Sequence, residues 1–191
     1  MKYVKVLAEN LVHHNFQYEE GLNADYVPFN PTEKCKRGGL YFCRPEDVFK
    51  YVGRGTKIAE VEVPIDARVH DEGDKLKANK IILKNIMPIE DSPLFANCNF
   101  TEKDIEKNYA LLNTIKNPSE DLCRAIVKKN GFAIQYIRNP SEEVCQLAVM
   151  QDGRALPCIK NPSKEVCRLA IKSQPNLIEK YLPARLKHLF A

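Results

Sequence analysis

The chain has no tryptophan, and none of its apolar runs approaches the roughly 20 residues that cross a bilayer. Its N-terminus has no apolar signal core, because Lys2, Lys5, Glu9 and His13 interrupt it. These absences predict an intracellular, non-secreted protein with no membrane association. There is no Cys-x-x-Cys pair, and the seven cysteines are odd in number. Free thiols in a reducing compartment fit that pattern better than a disulfide framework. Cys35 and Cys43, with His13 and His14 upstream, lack the ligand spacing of structural zinc sites, so no metal is predicted. No phosphate loop, no Gly-x-Ser-x-Gly and no paired carboxylates in a catalytic setting occur. The sequence therefore calls for no cofactor and no catalytic residues, and points to an interaction protein rather than an enzyme.

What is present is a sentence said three times. Ile115-Lys116-Asn117-Pro118-Ser119-Glu120 returns as Ile137-Arg138-Asn139-Pro140-Ser141-Glu142 and again as Ile159-Lys160-Asn161-Pro162-Ser163-Lys164, with a period of 22 residues. A fixed period of this length marks a stacked repeat, and such stacks usually build binding surfaces. Asn-Pro disfavours helix at the Asn, so one helix stops there. Ser119, Ser141 and Ser163 can cap the next, and acidic residues in the following turn oppose its dipole. Asn130-Gly131 and Asp152-Gly153 break the long helix of each unit, and Gln174-Pro175 does so in the third. A short second helix is expected over 132–137, 154–159 and 176–181. A degenerate earlier copy ends in Asn108-Tyr109-Ala110-Leu111-Leu112-Asn113, and a closing helix is expected over 183–190.

The first 90 residues have a different grammar. Strands are expected over 2–7, 40–43, 58–63 and 80–86, with a helix over 45–52 opened by Pro45 and ended by Gly53 and Gly55. The stretch 64–79 is polar and turn-rich. Residues 88–99 form a linker or a packed connection. The predicted class is α+β: a small mixed head (1–90), a connection (91–100) and an all-α helical-hairpin repeat domain, a short α-solenoid (101–191). The net charge of +4 is uneven, since residues 101–191 hold 15 Lys and Arg against 10 Asp and Glu.

Asn117-Pro118-Ser119-Glu120, Asn139-Pro140-Ser141-Glu142-Glu143-Val144-Cys145, Asn161-Pro162-Ser163 and Asn130-Gly131-Phe132-Ala133-Ile134-Gln135-Tyr136 resemble a tandem 22-residue helical repeat of unknown function found in giant viruses and some phages. Phe16-Gln17-Tyr18-Glu19-Glu20-Gly21-Leu22-Asn23, Gly38-Gly39-Leu40-Tyr41-Phe42 and Lys77-Ala78-Asn79-Lys80-Ile81-Ile82-Leu83 look like a head module joined to such arrays in large DNA virus proteins. The resemblance implies a viral protein, either a virion component or a factor made in the host cytoplasm or nucleus. The order Gly39-Leu40-Tyr41-Phe42, a helix with Tyr51, then the strand 57–63 is also similar to the centre of ADP-ribosyltransferases, which bind NAD between two small sheets. That likeness implies a cleft at Tyr41 and Tyr51. Lys2-Tyr3-Val4-Lys5-Val6 lacks the His or Arg of that family, and 79–83 lacks its Glu, so it implies the fold without the catalysis.

Three features recur with the repeat. Cys123, Cys145 and Cys167 recur at one phase and read as small buried packing residues. Lys116, Arg138 and Lys160 place one cation per repeat along an edge, and Arg124 and Arg168 make a second, partial row. Such rows suit an acidic protein partner or, alternatively, a nucleic-acid backbone, and a homo-oligomer is also compatible. No aromatics alternate with the cations, so stacking on single strands is not signalled.

Overall fold

A computed structural model describes residues 2–32 and 36–175. They fall into two compact units that divide between Cys98 and Asn99. Sheets make up the first and helical turns the second, so the class is α+β. Cys35, the short helix expected over 176–181 and the closing helix expected over 183–190 lie outside the described residues.

The first unit holds β1 (Tyr3–Leu7), β2 (Val12–His13), β3 (Phe16–Gln17), β4 (Gly21–Ala24), β5 (Leu40–Phe42), β6 (Lys57–Glu62), β7 (Val69–Asp71), β8 (Leu76–Ala78) and β9 (Lys80–Pro88). They form an antiparallel sheet in the order β1-β6-β9-β4, a second in the order β5-β8-β7, and the small β2-β3 ribbon. A bridge between Val4 and Cys43, with reciprocal N–H···O bonds of 2.9 Å, ties β1 to β5. Alternation on β9 buries Ile81 and Leu83, which meet Leu7, Leu40, Phe42, Ala59, Val61 and Leu76 in one core.

The structure corrects the sequence reading in three places here. The 45–52 segment is not a regular helix but two 3-10 turns, Pro45–Lys50 and Val52–Arg54, with Gly53 inside the second. Arg44 at the cap position supplies no side-chain acceptor, and the first turn is held by backbone bonds to the Arg44 and Val48 carbonyls, the Lys50–Asp47 pair and burial of Val48. The polar stretch 64–79 contains the hairpin β7-β8, and Glu72-Gly73-Asp74-Lys75 is its turn, closed by Glu72 N–H to the Lys75 carbonyl at 2.9 Å. Strands of three residues are too short to show alternation. The short strands β2, β3 and β4 escaped for the same reason. Within 88–99, Ile89 and Phe95 are buried, so this stretch packs into the first unit.

The second unit repeats one local design. Helix α1 (Glu102–Lys107) is followed by α2 (Glu120–Lys129), α3 (Glu142–Gln151) and α4 (Lys164–Ser173). The 3-10 helices Tyr109–Thr114, Gly131–Tyr136 and Gly153–Cys158 separate them. Thr101 and Asp104 close a reciprocal capping box on α1. Ser119, Ser141 and Ser163 accept from the N–H groups of Leu122, Val144 and Val166. The short helices expected over 132–137 and 154–159 are 3-10 rather than α. Asn108, Asn130 and Asp152 cap them, the last two from extended backbone, accepting from Ala110, Phe132 and Arg154. The Asn-Gly and Asp-Gly breaks thus start one helix in ending another.

Neighbouring copies are joined by polar rungs. Ser141 Oγ donates to Glu120 Oε1 and Ser163 Oγ to Glu142 Oε1, each at 2.5 Å. Gly131 N donates to Gln151 Oε1 at 2.8 Å. Cys123, Cys145 and Cys167 are buried cysteines outside any disulfide, at equivalent positions of α2, α3 and α4. Burial is the first cause, and Glu120 and Glu142 the second, that raises the Cys123 and Cys145 thiol pKa values.

The glycine that recurs at 131 and 153 is fixed by contact with the next helix. A Cβ on Gly131 would stand 2.4 Å from the Ala148 carbonyl oxygen, and one on Gly153 would stand 2.7 Å from that of Ala170. Gly131→Ala is therefore expected to destabilise by about 1–3 kcal/mol through overpacking, reversing the gain that Ala usually brings over Gly in a helix. Gly153→Ala should cost less. Urea unfolding of both variants checks the order.

Candidate functional site

Lys116, Arg138 and Lys160 each stand one residue beyond the residue that ends a 3-10 helix, namely Ile115, Ile137 and Ile159. All three cations are exposed, while Ile137 and Ile159 are buried. The apolar residue anchors the end of the turn and the next side chain points outward. Each of the three copies therefore exposes a cation at the same place, one residue beyond its 3-10 helix.

Arg124 and Arg168 have other duties. Arg124 binds Asp121 at 2.6 Å and Glu143, on the following helix, at 2.9 Å, with Glu120 at 3.9 Å. Arg168 pairs with Glu165. The carboxylates around these two arginines offset much of their charge, and Arg124 reaches across from α2 to α3. At the position where a third member would stand, Gln146 bonds Glu142 at 3.3 Å.

The head carries a cavity of about 320 Å³ beside β1 and β5. Tyr41 and Tyr51 both line it, together with Lys5, Arg54, Lys75 and the His13-His14 pair. Sequence reasoning singled out the two tyrosines and missed the amines. Lys5 sits mid-strand on β1 and is only 4% exposed. Its Nζ donates to the Tyr41 carbonyl oxygen at 2.5 Å and lies 4.4 Å from the Tyr18 ring centroid. Burial drives the Lys5 pKa down to about 7, and Cys43 opposes the shift. Burial, aided by Lys5, His14 and Arg54, drives His13 down to about 4. Cys43 is pushed up to about 12, mainly by burial.

Behind the cavity, Lys77 is fully buried in the centre of β8. Gly39 makes room for it, since a Cβ there would meet the Lys77 stem at 3.1 Å. The Lys77 ammonium faces Glu72 Oε1 at 3.5 Å, and Lys75 faces Glu72 Oε2 at 3.6 Å. The Tyr41 hydroxyl lies 3.1 Å from Glu72 Oε1, fixing that ring from below. Tyr51 donates to Asp74 Oδ2 at 2.8 Å. Burial, then this bond, raises the Tyr51 pKa. No signal in the sequence marks Glu72 or Lys77, because a lysine inside a short strand reads as outward-facing.

Among the described residues no cluster of three or more His, Cys, Asp or Glu could hold a metal, and no helix is long and apolar enough to cross a membrane.

Residues 1–92 match a domain of unknown function (DUF7666). The homologues of this chain are giant-virus proteins. One, from Acanthamoeba polyphaga mimivirus and bearing the name of an ankyrin repeat protein, is 40% identical over 88 residues, covering 42% of this chain and 44% of its own length. An uncharacterised protein of the same virus is 42% identical over 66 residues, covering 34% and 48%. Another mimivirus protein named for ankyrin repeats is 28% identical over 137 residues, covering 67% of this chain and 23% of its own. The chain thus spans less than half the length of these relatives. Ankyrin repeats have a period of about 33 residues, unlike the 22 seen here. No solved structure matches the chain.

Proposed function

We propose that this giant-virus protein is a non-enzymatic interaction protein whose helical copies stack as a short α-solenoid and bind an acidic protein surface along the edge carrying Lys116, Arg138 and Lys160. The observation that carries the reading is the return of an exposed cation at the same structural position in each copy. A periodic array of this kind matches periodic or extended acidic partners and steers their approach. The ankyrin-repeat names of the mimivirus relatives support a role in protein association. The Ser-Glu rungs and the Arg124–Glu143 bridge support a stacked, rigid array. The unit 101–191 acts as the binding domain and the head, 1–90, as a separate module.

The test is affinity capture from giant-virus-infected cells with the full chain and with the triple variant Lys116→Glu, Arg138→Glu, Lys160→Glu. The same protein partner should be retained by the parent chain, weakened at least about tenfold in the triple variant, and bound normally by Arg168→Gln. Equal capture by parent and triple variant overturns the reading. Capture of nucleic acid alone, with a steep loss on adding salt, replaces it with phosphate-backbone binding.

A further inference from the structure

The head cavity has no part in binding through the repeats, yet its wall has a marked chemical bias. Two cationic side chains (Arg54 and Lys75), the buried Lys5 amine and two histidines line it, and no carboxylate does. Arg54 has no ion-pair partner among the described residues and is exposed at the rim. Lys5 at the back meets a carbonyl oxygen and a ring face, with no carboxylate to balance it. His13 and His14 stack with ring centroids 4.1 Å apart. The result is a concave surface biased positive at Arg54, with the Lys75 charge already partly offset by Glu72.

The walls add shape to the charge. Tyr41 is held by its hydroxyl contact to Glu72 and by Lys75, whose ammonium is 5.0 Å from the ring centroid. Tyr51 is held by Asp74. Two fixed rings beside a cationic floor suit a ligand with one flat group and one anionic group. A volume of about 320 Å³ stands at the small end of ligand sites.

We propose that the head binds a phosphate monoester bearing a flat ring, its phosphate between Arg54, Lys75 and Lys5 and its ring against Tyr41 and Tyr51. Arg54 supplies the forked donor that phosphate oxygens accept best. Lys5 supplies an amine whose burial keeps water from competing. The site is independent of the repeat edge, and the test separates them by location.

The test is an amide-NMR titration of the ¹⁵N-labelled full chain with phenyl phosphate, with inorganic phosphate beside it. Saturable shifts should centre on the amides of Lys5, His14, Tyr41, Arg54 and Lys75, with phenyl phosphate binding several-fold tighter. Arg54→Gln, an exposed change that leaves the fold intact, should weaken both at least about fivefold. Lys75→Gln should weaken them less, because Glu72 already holds part of the Lys75 charge. Shifts that fail to saturate at tens of millimolar, that centre on Lys116, Arg138 and Lys160, or that survive Arg54→Gln overturn the proposal. Equal affinities for the two probes remove the ring from it.

Discussion

Glu72→Ala is expected to destabilise the head by about 3–5 kcal/mol, the usual cost of breaking a buried ion pair by deleting one partner. The Glu72 side chain is 1% exposed and that of Lys77 is 0% exposed. The Lys77 ammonium cannot reach water without opening β8, whose three residues are all buried between β5 and β7. The contact is long, 3.5 Å, and no hydrogen-bond donor reaches Glu72 Oε2 among the described residues. The pair therefore contributes little net stability while its halves depend strongly on each other. Glu72→Ala deprives the buried Lys77 cation of its Glu72 carboxylate, and the Tyr41 ring, its centroid 5.7 Å away, is a weak substitute for that charge. The double change Glu72→Leu, Lys77→Met removes both charges and should recover most of the loss. Urea unfolding of the three proteins, followed by head amide signals, measures the difference. A loss below about 1 kcal/mol in the single variant would show that water reaches Lys77.

This pair also shows where sequence reasoning stops. The repeat was legible because its punctuation is local: Asn-Pro, Ser and acidic first turns act on their own helix, and the structure places each Ser at a cap. The link between copies was not legible, because Ser141 Oγ to Glu120 pairs residues 21 apart across two elements. Nor was the reason for Gly131, which is the carbonyl of Ala148 rather than any turn. In the head, the longer strands β1, β6 and β9 alternate enough to be found, whereas β7 and β8 are too short. Tyr41 and Tyr51 line a cavity with nine other residues, which by itself says nothing of the NAD cleft that the resemblance implied. Lys5 and Lys77 were passed over because a lysine in a strand is expected to face solvent, and only tertiary packing reverses that.

Between pH 7 and pH 9 the head should become more stable as pH rises, by about 2–3 kcal/mol, and Lys5→Met should abolish that rise. Burial lowers the Lys5 pKa from 10.5 in the unfolded chain to about 7 in the fold. In this window the unfolded chain keeps the Lys5 proton and the folded chain releases it. The unfolded state then binds more protons, so stability increases with pH, by about 1.4 kcal/mol per pH unit for one group. Below pH 7 both states are protonated and the Lys5 contribution is flat. His13, lowered from 6.5 to about 4 by burial and by Lys5, His14 and Arg54, continues the same sign at lower pH. Above pH 9 the curve flattens and then turns down, because Cys43, raised from 9.0 to about 12, keeps its proton in the fold and loses it in the unfolded chain, which first offsets Lys5 and then outlasts it. Tyr18 and Tyr51, both raised chiefly by burial, add to that decline from about pH 10. The parent-minus-variant difference cancels Tyr18 and Tyr51, and between pH 7 and 9, where His13 is neutral and Cys43 protonated in both folded proteins, it reports Lys5. Urea unfolding followed by the amide signals of β1 and β9 at pH 7, 8 and 9 measures it. Parallel pH profiles in parent and Lys5→Met would mean that Lys5 holds its proton in the fold, and that the cavity carries a full positive charge there at neutral pH.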